Sequence, residues 1–121
     1  MRTQIEMAKE KKITPEMKAV ASAEGLLPET VRNGVEKGEI VILWHPGRPD
    51  RKPVGIGKGL STKVNASIGT SSDICDIDAE VEKAKVAEAE GADSLMDLRL
   101  NANITESLNV CVNALDRRSL V

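Results

Sequence analysis

Trp44 is the only aromatic side chain in 121 residues; Phe and Tyr do not occur. Rings bring the largest single burial areas, so any core here has to be assembled from Val, Ile, Leu, Met and Ala. A chain this short, with a single ring and no disulfide framework or evident metal site, is a candidate for marginal stability. Its size suits one modest domain rather than two. Lys and Arg number 17 against 19 Asp and Glu, a net charge of −2. That near balance argues against a nucleic-acid binder, whose basic residues gather into a strong positive field. Apolar residues at 40% and charged residues at 30% are an ordinary soluble composition.

No run approaches the roughly 20 apolar residues that a membrane helix requires. The opening MRTQIEMAKEKK is polar, with no apolar stretch or small-residue cleavage site of an export signal. Cys75 and Cys111 are far apart and do not suggest a secreted disulfide framework. No membrane partner and a cytoplasmic location are the expectation.

The first third reads as short helices. Thr3 with Glu6 fits a capping box. Thr14-Pro15-Glu16 combines a cap, a proline at the first helical position and an acid that suits the helix dipole. Met17, Val20 and Ala21 follow at helical spacing, and Gly25 offers a left-handed stop. The pattern predicts a third helix over Pro28 to Lys37, with Val31 and Val35 one turn apart and Gly38 as the stop. Glu39 to Trp44 is a β-branched, apolar run and reads as a strand. From His45 to Pro53, three prolines leave too few amide donors for helix or central strand.

From Val54 the pattern changes. Lys63 to Gly69 reads as a strand. Asp78 is expected to cap a helix running to about Glu90, with Val81, Ala84, Val86 and Ala87 inward and Gly91 closing it. Asp93 to Leu98 reads as a second strand. Strand, helix, strand is a βαβ unit, which buries both strand faces only when more sheet and helices surround it. In the last stretch, Ile104, Leu108, Cys111 and Leu115 share one helical face, which predicts a helix over about 105–117.

Gly55, Gly57 and Gly59 fit neither common nucleotide-binding glycine pattern. They mark either a structural turn or backbone that a substrate or neighbouring segment approaches closely. Gly69-Thr70-Ser71-Ser72-Asp73 follows a strand, where α/β folds place ligands, but also suits a plain connecting loop. Asn65 and Ser67 alternate with Val64, Ala66 and Ile68, so they share a strand face, either contacting a ligand or meeting buried hydrogen-bond partners. Met96 reads as core, and Asp97 as a ligand-orienting carboxylate or a loop cap. His45, the single histidine, has no partner at metal-ligand spacing. Arg48, Arg51 and Lys52 read as a solvated loop, with phosphate contact the alternative.

The segment Pro53 to Leu60, then Thr62 to Ser71 with its core Asn65-Ala66-Ser67-Ile68-Gly69, Glu80-Val81-Glu82-Lys83-Ala84, and Gly91-Ala92-Asp93-Ser94-Leu95-Met96-Asp97-Leu98, taken in order, resembles the N-terminal part of phosphomethylpyrimidine synthases. The opening helices and Gly34 to Val41 resemble the same family, so the resemblance covers about residues 1–98. It implies an α/β fold, a helical N-terminal region (1–53) and the first βαβ of a (β/α)8 barrel (54–98); residues 99–121 are left as a non-family tail, where the periodicity predicts the C-terminal helix. The family uses a 4Fe-4S cluster held by a CxxCxxxxC motif, S-adenosylmethionine and zinc to rearrange aminoimidazole ribonucleotide into the hydroxymethylpyrimidine phosphate of thiamine. By resemblance the substrate-binding residues are Ser67, Met96 and Asn65. The family has a second Asn where this chain has Ser67, which keeps a donor and an acceptor but is shorter. After Leu98 the family's Ser-Thr-Gly-Gly loop is replaced by Arg99-Leu100-Asn101-Ala102-Asn103.

Two readings follow. The first is a truncated phosphomethylpyrimidine synthase, an enzyme by family, inactive as this chain alone, binding none of the cofactors and binding aminoimidazole ribonucleotide weakly or not at all. The second is a small interaction or ligand-binding module derived from that enzyme. In either, unpaired strands favour a homodimer or aggregation.

Overall fold

The computed structural model describes residues 2–44, 52–69 and 76–98. The chain divides into two compact units, the first ending at Thr62 and the second beginning at Lys63.

The first unit opens with α1 (Gln4–Lys9), α2 (Pro15–Glu24) and α3 (Pro28–Glu36), each started by a local signal. Thr3 accepts from the Glu6 amide while the Glu6 carboxylate accepts from the Thr3 amide at 2.7 Å, completing the expected capping box. Thr14 caps α2 through the Met17 amide, and α2 ends at Gly25 in the left-handed region. Helix α3 starts at Pro28 without a side-chain cap and stops one residue before the predicted end. Strand β1 (Ile40–Leu43) follows and pairs antiparallel with β2 (Val54–Gly57), in the register Ile40 to Gly57 and Leu43 to Val54.

The core of this unit is aliphatic: Ala8, Met17, Val20, Ala21, Val31, Val35 and Ile40. Met17, Val20 and Val31 are fully buried. Slim side chains fill space only if backbones come close, and the glycines show where they do. A Cβ on Gly55 would stand 2.5 Å from Val20 Cγ1, and one on Gly34 would overlap the Ile40 side chain. At Gly57 it would overlap the Glu39 carbonyl oxygen and lie 2.8 Å from Ile40 Cα, and φ there is +148°, a conformation L residues rarely adopt. Gly55 and Gly57 are therefore strand residues approached by neighbouring segments. Gly59, at φ +80° with open space around it, is the turn residue of the three. Glu24 at the end of α2 ties down the chain leaving β2, accepting from the Ser61 amide at 2.8 Å and its hydroxyl at 3.0 Å.

In the second unit, β3 (Asn65–Ile68), α4 (Ile77–Ala89) and β4 (Ser94–Asp97) form a strand–helix–strand with parallel strands, as the pattern predicts. Its cap is Asp76, not Asp78: the Asp76 carboxylate accepts from the Ala79 amide at 3.0 Å, and Asp78 lies in the first turn. Val81 and Ala84 face inward as expected, but Val86 is 59% exposed. At 3.6 residues per turn it lies two positions from Ala84 and thus across the helix. Ile68, Val81, Ala84 and Ala92 make the core, with Ala66, Ala87 and Leu95 against it. The predicted helix over 105–117, both cysteines and His45 lie outside the described residues.

Replacing Gly57 with Ala is expected to destabilise the chain by about 2 kcal/mol or more, because strain at φ and overlap with the Glu39 carbonyl add together; urea denaturation measures it. Acid sensitivity follows from the surface pairs. Hydrogen bonds from Lys11 and then Arg32 hold the Glu36 carboxyl below its ordinary value of 4.5, Lys12 does so for Glu10, and Lys58 for Glu39. A carboxylate whose folded pKa is depressed stabilises above its unfolded value and loses that contribution as pH falls through the folded one. Melting temperature should therefore stay level from pH 7 to about 5 and drop below about 4.5, more shallowly in 0.5 M salt than in low salt.

Candidate functional site

Side chains alternate along a strand, so the register decides which residues of β3 and β4 share a face. Ala66 pairs with Leu95 and Ile68 with Asp97, and this face lies on the α4 core. Asn65 pairs with Ser94 and Ser67 with Met96, which puts those four on the opposite face. The three residues assigned to substrate by resemblance, Asn65, Ser67 and Met96, are thus brought together on one face. Asp97 is not among them; its register position belongs to the α4 face.

The polar face has a floor and an end. At the floor, where both strands begin, the Ser94 hydroxyl donates to Asn65 Oδ1 at 2.8 Å. The amides of Asp93 and Ser94 both donate to the Val64 carbonyl, at 2.9 and 3.3 Å, and Asp93 Oδ2 accepts from the Val64 amide at 2.8 Å. These bonds clasp the two strands before the ladder starts. About 7 Å further on, Ser67 and Met96 are register partners at the carboxyl end, a hydroxyl residue beside a methionine that is 43% exposed. A hydroxyl donates and accepts, while a thioether offers a soft, polarisable contact. Together they suit a small ligand with both a polar edge and a flat or apolar surface.

Beyond the ladder, the Leu98 amide donates to the Ile68 carbonyl at 2.8 Å. On the α4 side, Glu80 is buried at 4% exposure, with Oε2 accepting from the Gly69 amide at 2.7 Å and Oε1 2.6 Å from Lys83 Nζ. Sequence reasoning missed Glu80. It is one acid among several on a helix, and only its proximity to Gly69, eleven positions away, distinguishes it. The hydroxyl-rich residues 70–73, and Arg48 and Arg51, lie outside the described residues.

Among the described residues no group of three or more His, Cys, Asp or Glu is arranged to hold a metal ion. No helix among them is long and apolar enough to cross a membrane.

Comparison with known proteins finds relatives over most of the chain. The model of the radical SAM ThiC family matches residues 3–117, which takes in residues 99–117, beyond the motifs that carry the resemblance. The chain is 54% identical over 104 residues to the 5-hydroxybenzimidazole synthase of Desulforapulum autotrophicum, covering 86% of the chain and 24% of the relative. It is 52% identical over 116 residues to the protein of that name from Geobacter sulfurreducens, covering 96% and 26%. Against phosphomethylpyrimidine synthase 1 of Methanosarcina mazei it is 54% identical over 104 residues, again 86% and 24%. The chain spans about a quarter of the length of these relatives.

The clasp at the floor is open to test. Asp93→Ala should cost the second unit about 1 kcal/mol by removing the acceptor for the Val64 amide, and Asp93→Asn should recover most of it. Urea titration followed by amide signals of Val81 and Ala84 reads the difference.

Proposed function

The chain belongs to the radical SAM ThiC family, and from that premise we propose that its β3–β4 pair supplies part of the substrate-binding face of a phosphomethylpyrimidine synthase. The reaction is the rearrangement of aminoimidazole ribonucleotide to hydroxymethylpyrimidine phosphate, in the service of thiamine biosynthesis. The observation that carries this reading is the register that sets Ser67 beside Met96 on the face turned away from α4. In a (β/α)8 barrel, helices lie outside, strand faces opposite them point inward, and ligands sit at the carboxyl ends of the strands. Ser67 and Met96 meet both conditions. Asn65 lies one layer deeper, where its bond to Ser94 makes it a floor for the site.

Within that face the residues have distinct tasks. Ser67 donates to or accepts from a polar substituent of the ribonucleotide, and Met96 packs against its ring. The strands and α4 exclude water from one side. The 4Fe-4S cluster, S-adenosylmethionine and zinc of the family supply the radical chemistry when bound. The donor set of this chain does not fit the cluster: its two cysteines are not spaced as CxxCxxxxC. These residues therefore bind and orient, and no step of the radical chemistry is assigned to them.

A second reading is favoured by the relatives named 5-hydroxybenzimidazole synthase, which match as well as those of the first name. The same face would then serve a synthase whose product is 5-hydroxybenzimidazole.

One experiment covers both. Residues 3–117 replace the matching segment in the Methanosarcina mazei enzyme, and the chimera is assayed anaerobically with aminoimidazole ribonucleotide and S-adenosylmethionine. Hydroxymethylpyrimidine phosphate supports the first reading, and 5-hydroxybenzimidazole the second. A folded, cluster-loaded chimera that makes neither overturns both. Introducing Ser67→Asn into the chimera should lower KM for the ribonucleotide by about three- to tenfold, since a carboxamide reaches further and adds a second donor.

A further inference from the structure

Gly69 leaves β3 at φ +138°, a backbone conformation in which a side chain is strained. The strand therefore ends at a residue with no side chain to anchor it, directly after Ile68 and two positions from Ser67. Something else has to define where its amide points. On the β4 side the ladder continues one step, through the Leu98 amide to the Ile68 carbonyl. On the α4 side the partner of the Gly69 amide is a carboxylate oxygen of Glu80 at 2.7 Å.

The carboxylate is costly where it stands. Glu80 is 4% exposed, on the same helix turn as the core residues Val81 and Ala84. A buried charge is tolerated only when hydrogen-bonded and paired, and an apolar side chain of similar size would often serve stability as well. Lys83, one turn on, supplies the counter-charge at 2.6 Å with its own side chain 58% exposed, so the charge is balanced from the solvent side while the other oxygen reaches inward to Gly69. A bond from a backbone amide to an ionised acceptor is also among the stronger and more directional ones.

We propose that Glu80 is a positioning residue: its buried carboxylate holds the Gly69 amide, fixes the carboxyl end of β3, and so sets where Ser67 stands relative to Met96. The proposal deepens the reading of this face as a substrate site and rests on it for its functional meaning. Glu80 lies behind the strand, on the α4 side, and touches no substrate.

The test uses the full chain and amide hydrogen exchange read by NMR. Glu80→Gln keeps an acceptor oxygen at the same reach and should leave Gly69 protection within about threefold of the parent. Glu80→Met keeps the length and apolar body without an acceptor. It should speed Gly69 exchange by about tenfold or more and shift the amide resonances of Ser67 and Met96, with Val81 and Ala84 still protected. Unchanged Gly69 exchange in that variant overturns the proposal, as does release of Gly69 with Ser67 and Met96 unmoved. If Glu80→Met also exposes Val81 and Ala84, Glu80→Asp decides. It keeps the charge but draws the carboxylate back by one methylene, so Gly69 release is expected and unaltered protection is contrary. Failure of the substrate-site reading shows separately, as a chimera in which the ribonucleotide is not turned over; Gly69 exchange requires no ligand.

Discussion

With Trp44 the only aromatic ring in the chain and none in the buried core of the first unit, the space between elements has to be closed by the backbones themselves. In the first unit this requirement falls on Gly34, Gly55 and Gly57, each placed where a Cβ would collide with Ile40, Val20 or the Glu39 carbonyl. The approach lets small residues such as Ala8, Val20, Ala21 and Val31 reach full burial. At Gly34 and Gly55 a larger residue would displace side chains of Ile40, Val20 and Leu60, whereas at Gly57 it would meet the backbone of Glu39 and Ile40, which cannot give way as cheaply. The β1–β2 pairing depends on the same contacts, because Gly57 is the register partner of Ile40.

The second unit solves a different problem. Two parallel strands and one helix bury one sheet face well, through Ile68, Ala66 and Leu95 against Val81 and Ala84, and leave the other to polar and flexible residues. The apolar core and the polar residues are thereby assigned to opposite faces of the same two strands. Hydrogen bonds at both ends keep them in step: Asp93 and Ser94 at the start, Leu98 and Glu80 at the finish.

Much of the helical region was legible from residues alone, since caps act over three or four positions. Thr3, Thr14 and Gly25 do what their neighbours predict. Strand β2 was less so: its glycines weaken any strand pattern, and it becomes a strand through pairing with β1. Two details of α4 were not legible in the sequence, its cap at Asp76 and the outward turn of Val86. The helix starts two residues earlier than a cap at Asp78 would allow, and Val86 faces outward because the phase is set by the packed residues Val81 and Ala84. Of the proposed site, Asn65, Ser67 and Met96 were visible by resemblance, while the burial of Glu80 was not, because a helical glutamate has the same sequence signature whether solvated or buried.

The amino-acid sequence by itself determined the aliphatic core, the starts of the first three helices, the strand–helix–strand order and, through its motifs, the family. Those properties are set by residue type or by interactions between near neighbours, and they survive without knowledge of what pairs with what. Only the tertiary structure decided that Ser67 stands against Met96, that Asp97 belongs to the other face, and that Glu80 reaches the Gly69 amide. The reason is the two-residue period of a strand: a slip of one position in the register of β3 against β4 would turn every side chain to the opposite face. That register is fixed by hydrogen bonds between segments some 29 residues apart.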